Sequence, residues 1–470
     1  MVKVVILIFI LAIGIFRWLS TAGRGKAATY MVISLFVQTL PFGFGKAVHV
    51  FIEGKMTEDD RFVRLGEFSN VLRLEMPLVF ILFLIFFGFG KLKAGAFGIK
   101  QNVWIYILFF FSLITAINPY NPEPLAFSAL IFPLVQFLIL FKLIEANFTP
   151  SDILKGIYDG MLMVVLLQFS LAICYPVLGF ESMAAIFRGE QAYEWSQRRG
   201  MTSAIGTFGH PGHLALYCLV LLLFFLGCYL NNYHKKKSLY LVLMAGITLV
   251  LTFSRTAIFC AIIIIPIVFL VHKRGARLLS VKNIVYFALL SGVFIILLYL
   301  SPIGYLFFES DSTIQFNNRY IHWALGYQIW EKSPFFGVGI NTHVYYMLNQ
   351  LKLNIDIPAV SFYTRSPIHN IHMIVLAETG LIGFAFWLVF FFGRIKMYYV
   401  QCQTNNTTAN IFNLTYVGIL FSVFLYGFIG WSPFILEIYS LCFLLGYFAK
   451  NQSRKSINVH VRRRQFEHSN

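Results

Sequence analysis

Residues 206–230 read GTFGHPGHLALYCLVLLLFFLGCYL, and residues 214–230 contain no charged side chain. An apolar run of about 17 to 25 residues is long enough for a helix to cross a hydrocarbon core about 30 Å thick. Similar runs recur along the 470-residue chain, which is 58% hydrophobic, 12% charged and has a mean hydropathy of +0.73. These values indicate a membrane protein.

The spans of such a protein must be helices or the strands of a closed barrel, because lipid offers no partner to backbone N–H and C=O groups. Barrel strands would appear as alternating segments of about ten residues, and the sequence lacks them. We therefore predict an all-α integral membrane protein with about 12–13 transmembrane helices and a long folded loop outside. The predicted spans are residues 4–19, 28–51, 74–90, 103–117, 125–144, 157–178, 206–230, 239–253, 256–271, 284–302, 371–392, 411–430 and 433–448.

These spans predict five regions. They are N-terminal transmembrane helices (1–205), further transmembrane helices with a corner at Arg255 (206–303), a large extracytoplasmic loop (304–370), C-terminal transmembrane helices (371–449) and a basic cytoplasmic tail (450–470). The first span could pass for a signal peptide, but Arg17 interrupts its end and more spans follow, which favours a retained helix.

The basic residues predict the orientation of the spans. The runs HKKK (234–237), HKRGAR (272–277) and GRIK (393–396) and the tail share one side of the predicted topology, which should be cytoplasmic because cytoplasmic loops carry excess lysine and arginine. The net charge of +17 is thus mainly topological, and no nucleic-acid partner is predicted. The loop 304–370 then lies outside, and its aromatic residues fit a segment folded at the membrane surface, although an interfacial aromatic belt explains them equally well.

Arg255 is the first candidate site residue. It lies between two apolar runs in LTFSRTAIFCAIIII (251–265), with almost no loop between them. An arginine near membrane depth is costly and is by default a functional hypothesis, the alternative being a turn arginine that reaches the headgroups. Its planar guanidinium suits phosphate, to which it can form paired, charge-assisted hydrogen bonds.

His369 is the second candidate. It lies in SPIHN (366–370), which closes the outer loop just before an apolar helix. A histidine there can act as a general base near neutral pH, although a lone histidine is more often a capping or interfacial residue.

Weaker candidates lie on the same predicted side. Arg319 opens a stretch predicted to be helical up to Ser333–Pro334, followed by a Gly-Val-Gly turn. His210 lies in GTFGHPGH and could simply cap the helix that follows. Arg188, Arg198 and Arg199 lie near glutamates in another outer loop, where solvated ion pairs are the plainer explanation. The chain has no P-loop, dinucleotide fingerprint, HExxH or paired-cysteine motif.

Taken in order, these features resemble the O-antigen ligase and O-antigen polymerase superfamily of bacterial cell-envelope enzymes. Four stretches carry the resemblance: GTFGHPGHLALY (206–217), LTFSRTAIF (251–259), the Arg319 segment ending in SPFFGVGIN, and HNIHMIVLAETGLIGF (369–384), in which nine residues separate His-Asn from Gly380. Residues 1–205 contain no motif diagnostic of the family, so roles for Arg188, Arg198 and Arg199 rest on position alone.

The resemblance implies a glycosyltransferase in the bacterial inner membrane, with its active site facing the periplasm. The donor would be an undecaprenyl-diphosphate-linked oligosaccharide, and transfer would be inverting, with no metal and no cofactor. Carried over by position, His369 is the general base, and Arg255 and Arg319 bind the diphosphate. Asn370 and His210 are weaker candidates for substrate binding. Membrane lipids and a chain-length regulator protein are candidate partners.

The resemblance leaves the acceptor open. A polymerase uses another lipid-linked repeat unit, whereas a ligase uses lipid A-core. We favour a polymerase because GHPGH and the many aromatics are more similar to capsule and exopolysaccharide polymerases. A flippase or transporter for the same lipid-linked glycan is the alternative from another class. Transporters usually place charge near the membrane midplane, whereas the unusual charges here lie at the predicted outer ends of spans.

Overall fold

The computed structural model describes part of the chain. The described residues are 81, 84–85, 91–92, 97–122, 124, 126–174, 197–198, 201–208, 210–274, 312–349, 367–402, 406–435 and 438–450. The predicted spans at 4–19, 28–51 and 284–302 and the predicted tail at 450–470, apart from Lys450, lie outside this set.

Helices dominate the described part. In chain order they are α1 (Ile99–Ala116), α2 (Ser128–Asn147), α3 (Pro150–Cys174), α4 (Pro211–Leu230), α5 (Lys235–Leu251), α6 (Arg255–Arg274), α7 (Ser312–Lys332), α8 (His343–Asn349), α9 (Ile371–Gln401), α10 (Thr407–Gly427) and α11 (Ile438–Lys450). A 3-10 turn covers Ser432–Phe434, and a two-residue antiparallel pair joins β1 (Gln197–Arg198) to β2 (Met201–Thr202).

The predicted fold class is confirmed: this is an all-α integral membrane protein. Six helices of the described part are long and apolar enough to cross a membrane, namely Leu130–Asn147 of α2, α3, α4, Arg255–Lys273 of α6, α9 and α10. Several of the 12–13 predicted spans lie outside the described residues. Some predicted boundaries were wrong: α3 begins at Pro150 rather than at residue 157, and the last helix begins at Ile438 rather than at Pro433, which lies in the 3-10 turn.

α4 lies at the centre of the helix bundle. Every side chain from Leu214 to Leu226 is buried, and a helix that is apolar all round is stable only when other elements surround it. Four helices pack around α4, namely α3, α5, α6 and α10. Among the candidate spans of the described part, α4 shares the highest hydropathy with α6 and is the one most shielded by the rest of the protein.

The two ends of this bundle differ in charge. The basic run at 234–237 lies at the turn between α4 and α5, and Lys273 and Arg274 end α6. At the opposite end lie the start of α4, the end of α5, the start of α6 and the end of α10. There the Tyr426 hydroxyl of α10 lies 3.4 Å from the Gly212 carbonyl oxygen of α4. His369 and Arg319 belong to that second end, as described below.

α9 was predicted as a single span over 371–392, but the helix is broken at Gly380. This glycine has φ 63° and ψ −169°, a conformation almost confined to glycine. The indole N–H of Trp387 donates to Nδ1 of His372 at 3.2 Å. In a straight helix these residues would be about 22 Å apart at 1.5 Å per residue, so the two halves of α9 fold back on each other.

The break leaves backbone N–H and C=O groups without partners in the helix, and residues 334–339 supply other partners. The N–H groups of Val338 and Gly339 donate to the carbonyls of Ala377 and Glu378, both at 3.0 Å. In return, the N–H groups of Leu381 and Ile382 donate to the carbonyls of Pro334 and Phe335, at 2.8 and 3.2 Å. These four bonds replace two helical bonds that the break removes, so residues 334–339 and the break form one interlocked unit.

Two glycines allow this close approach. Gly337 (φ 70°) lies against the backbone of Glu378, and Gly380 lies against that of Phe335, so a Cβ at either position would overlap the opposite chain. Asn118, beyond the end of α1, holds the unit from the other side by donating to the Ser333 hydroxyl at 3.1 Å and to the Gly337 carbonyl at 2.5 Å. The GVG turn at 337–339 and Gly380 thus pack against each other as parts of one structural unit.

Candidate active site

α7 presents the first two groups of the site. Arg319 and His322 are three residues apart, so they lie on the same face of the helix. The His322 side chain is buried, and its ring centroid lies 4.6 Å from that of His369, which precedes α9. The helix predicted in the outer loop therefore brings its arginine and a histidine to the candidate base.

His369 is held in place by the residue after it. Asn370 is the N-cap of α9, and its side-chain oxygen accepts a hydrogen bond from the Met373 N–H at 2.9 Å. An N-cap fixes the direction in which the chain enters the helix. Asn370 therefore has a structural role as a helix cap. Substrate binding by Asn370 stays a prediction. Among the described residues, the buried Nδ1 of His369 has no hydrogen-bond partner.

Burial and the adjacent cation keep His369 uncharged. Burial and, to a smaller extent, Arg319 lower its pKa to about 4, with the backbone of Pro367 acting in the opposite direction; Arg319 contributes because a positive neighbour opposes a second positive charge. Burial also lowers the pKa of Arg319, an effect that the nearby Tyr426 opposes, but a guanidinium stays charged at neutral pH. At pH 7 the site thus combines a neutral imidazole, able to accept a proton, with a fixed cation.

His210 lies at the same end of the bundle, where it caps α4. Its Nδ1 accepts a hydrogen bond from the Gly212 N–H at 3.1 Å, and its ring stacks on His213 with centroids 4.3 Å apart. His213 Nδ1 lies 2.9 Å from the Ser432 hydroxyl, which in turn lies 2.9 Å from the Tyr426 hydroxyl. This network connects the GHPGH element to the tyrosine near Arg319, and the predicted substrate contact of His210 stays a prediction.

Arg255 is the first residue of α6, and three residues separate it from the end of α5. Its side chain is partly exposed and makes a contact in the structure. The N-termini of α4, α6 and α9 all lie at this end of the bundle. Helix N-termini carry partial positive charge and N–H groups that favour anions, so this end has the electrostatics of an anion site.

Arg188 and Arg199 lie outside the described residues, and Arg198 is described only as a backbone position in β1, paired with Met201. The structure thus brings Arg319 and His369 together, places Arg255 and His210 at the same end of the bundle, and leaves these three arginines as predictions.

Sequence reasoning missed a buried histidine–carboxylate hydrogen bond near the site. His343 Nδ1 lies 2.6 Å from a carboxylate oxygen of Glu378, and the side chains are 3% and 9% exposed. Glu378 was visible in the sequence as an acid inside an apolar run, which is the signal that could have found it. The described residues contain no group of three or more histidine, cysteine or acidic side chains placed to hold a metal ion, and metal independence stays a prediction.

Comparison with known proteins finds a family match within the second half of the chain. Residues 239–388 match the family model described as O-Antigen ligase. The match contains Arg255, Arg319, His369 and the break at Gly380, whereas the GHPGH element lies before it. A search of curated proteins found no match.

The fold and this match together define a multi-pass membrane protein of surface polysaccharide assembly. The predicted resemblance to the O-antigen ligase and O-antigen polymerase superfamily is confirmed, and the domain that carries it spans residues 239–388. The family consists of glycosyltransferase-like enzymes that act on lipid-linked glycans and acceptors. The residues of the candidate site that α6, α7 and α9 contribute belong to this domain.

Proposed function

We propose that this protein is a glycosyltransferase that polymerises undecaprenyl-diphosphate-linked repeat units on the outer face of the bacterial inner membrane. The observation that carries the proposal is the pairing of a neutral His369 with the charged Arg319 at the end of the bundle where three helix N-termini lie. A base and an anion site side by side are what transfer from a diphosphate donor to a hydroxyl requires.

In this proposal His369 takes the proton of the acceptor hydroxyl as its oxygen attacks the anomeric carbon. The bond from that carbon to the diphosphate oxygen breaks, and the electron pair leaves with the diphosphate. Arg319 and Arg255 stabilise the negative charge that develops there, because preorganised cations act most strongly in a site that excludes water. Attack opposite the leaving group inverts the anomeric centre, and no metal takes part.

The orientation of the site is part of the proposal. The basic runs lie at the opposite end of the helix bundle from His369, and the excess of positive charge marks the cytoplasmic side of membrane proteins. This arrangement supports an active site that faces the periplasm.

A ligase that transfers the glycan to lipid A-core is the second candidate, and the description of the matching family model favours it. The two differ only in the acceptor. Deleting the gene and separating the surface glycans on a gel distinguishes them. Single repeats on lipid A indicate a polymerase, whereas full-length chains left on the carrier lipid indicate a ligase.

His369→Ala tests the mechanism. We expect turnover of lipid-linked substrate to fall by about 10²- to 10⁴-fold, the usual contribution of a general base, while the protein still inserts and purifies. His272→Ala is the matched control, since His272 lies at the opposite end of the bundle on α6. Turnover by His369→Ala at the level of His272→Ala would show that His369 is not the base.

A further inference from the structure

α7 has an exposed aromatic side as well as the buried side that carries His322. Tyr320, Trp323 and Tyr327 are 67%, 40% and 49% exposed. Spacings of three, four and seven residues place side chains along one side of a helix, and the ring of Trp330 continues the row, with its centroid 5.4 Å from that of Tyr327. These four residues form what we call the aromatic stripe. An exposed apolar patch of this kind marks a surface that binds something.

One end of the aromatic stripe is continuous with a surface that faces lipid. The Trp330 indole N–H donates to the Pro334 carbonyl at 3.0 Å, and the next two residues, Phe335 and Phe336, are exposed. The Phe335 carbonyl accepts from the Ile382 N–H at 3.2 Å, so both rings lie beside the start of the second half of α9. That half belongs to a candidate span, and its exposed apolar side chains are Leu381, Ile382, Phe386, Val389 and Phe392.

The other end of the aromatic stripe borders the candidate site. Arg319 precedes Trp323 by four residues, so their side chains are neighbours on the surface of α7. His322, which packs on His369 with ring centroids 4.6 Å apart, lies on the other side of Arg319. Arg319 therefore lies between the candidate base and the aromatic stripe. A cation beside an apolar surface complements a molecule with an anionic head and an apolar chain.

The chemistry of the stripe favours an isoprenoid chain over a glycan. A glycan site needs polar side chains placed to bind hydroxyl groups, whereas Phe335, Phe336 and the exposed side of α9 offer only apolar groups. In the proposed donor the diphosphate is joined directly to its isoprenoid chain, so a diphosphate at Arg319 brings the first isoprene units to the stripe. From Arg319 to Trp330 the helix extends about 16 Å, and aromatic rings bury a large area against an apolar chain.

We propose that the aromatic stripe of α7 binds the isoprenoid chain of the lipid-linked donor and guides it from the lipid beside α9 to Arg319. This inference rests on the proposed function. The chain does not react, so its contacts are the same in the bound substrate and in the transition state. Contacts of that kind lower KM without changing kcat.

Two donors that carry the same glycan, one on a geranyl chain and one on an undecaprenyl chain, test the proposal. Tyr327 lies two turns beyond Arg319, out of reach of the shorter chain. We expect Tyr327→Ser to raise KM for the undecaprenyl donor about 5- to 10-fold, because apolar contact is lost, and KM for the geranyl donor by less than about twofold. Tyr327→Phe keeps the ring and should restore the wild-type KM. Tyr240→Ser is the matched control, since Tyr240 is a 65% exposed tyrosine on α5 at the opposite end of the bundle.

Three outcomes would overturn the inference. An equal rise of KM for both donors in Tyr327→Ser would assign the stripe to the glycan or to anchoring of α7 in the bilayer. A KM for the undecaprenyl donor that matches that of Tyr240→Ser would leave the stripe without a role. Equal kcat/KM of the wild-type protein for the two donors would show that it does not bind the longer chain. Each of these results leaves the proposed function standing, because that function fails separately, when His369→Ala keeps its turnover.

Discussion

Gly380→Ala should both destabilise the protein and inactivate it. The alanine would have to adopt φ 63° and ψ −169°, at a cost of about 1 to 3 kcal/mol. Its Cβ would also overlap the backbone of Phe335, so the two chains must separate. Separation weakens the bonds from Leu381 and Ile382 to residues 334 and 335, each worth about 0.5 to 1.5 kcal/mol. The expected loss is therefore about 2 to 6 kcal/mol.

Thermal unfolding of the purified protein in detergent, followed by tryptophan fluorescence, measures this effect, and glycan transfer measures its consequence for the site. Gly393→Ala is the matched control. It lies in the same helix with no atom within 4 Å of the added Cβ, and alanine should stabilise a helix interior by about 0.5 to 1 kcal/mol. If Gly380→Ala matched Gly393→Ala in both Tm and turnover, the interlock would have no role in stability or in activity.

Three further predictions concern the site and its orientation. Arg255→Lys keeps the charge but loses the planar fork, so we expect kcat/KM to fall about 10- to 100-fold, the effect of one charged hydrogen bond, and wild-type kcat/KM would leave Arg255 as a turn residue. Because the pKa of His369 is lowered to about 4, activity should persist below pH 6 and disappear as the pH falls through 4. A kcat/KM profile that already falls near pH 6.5, the ordinary pKa of histidine, would contradict this. A diphosphate bound beside Arg319 should raise the pKa of His369, because its negative charge favours the protonated imidazole. The acid limb of the kcat profile should therefore lie at higher pH than the acid limb of the kcat/KM profile. A cysteine replacing the exposed Lys332 should react with a membrane-impermeant maleimide in intact spheroplasts, whereas one replacing the exposed Lys236 should not, and the reverse pattern would refute the orientation.

The amino-acid sequence by itself determined the class of the protein and singled out two residues of the candidate site. Hydropathy and the distribution of basic residues are local or summed properties, so they can be read without knowing which helices touch. Arg319 and His369 were found because the motifs around them resemble those of a family. The pairing of the two residues followed only from the structure.

The broken helix was decided by tertiary contacts. In the sequence, residues 371–392 form an apolar run with two glycines and one acid, Glu378, which predicts one straight span. The break at Gly380 is stable because residues 334–339, more than forty positions earlier, supply partners for the freed backbone groups. No local sequence pattern predicts this mutual hydrogen bonding, since each segment alone would leave its N–H and C=O groups unpaired.

The buried cluster behind the base was likewise decided by the fold. His322, His343 and Glu378 come from α7, α8 and α9, and none of them is unusual within its own segment except for the acid in an apolar run. Their contacts depend on packing: the His322 ring centroid lies 4.6 Å from that of His369, and His343 Nδ1 lies 2.6 Å from Glu378. The sequence contains these residues, and only the packing of the three helices brings them together.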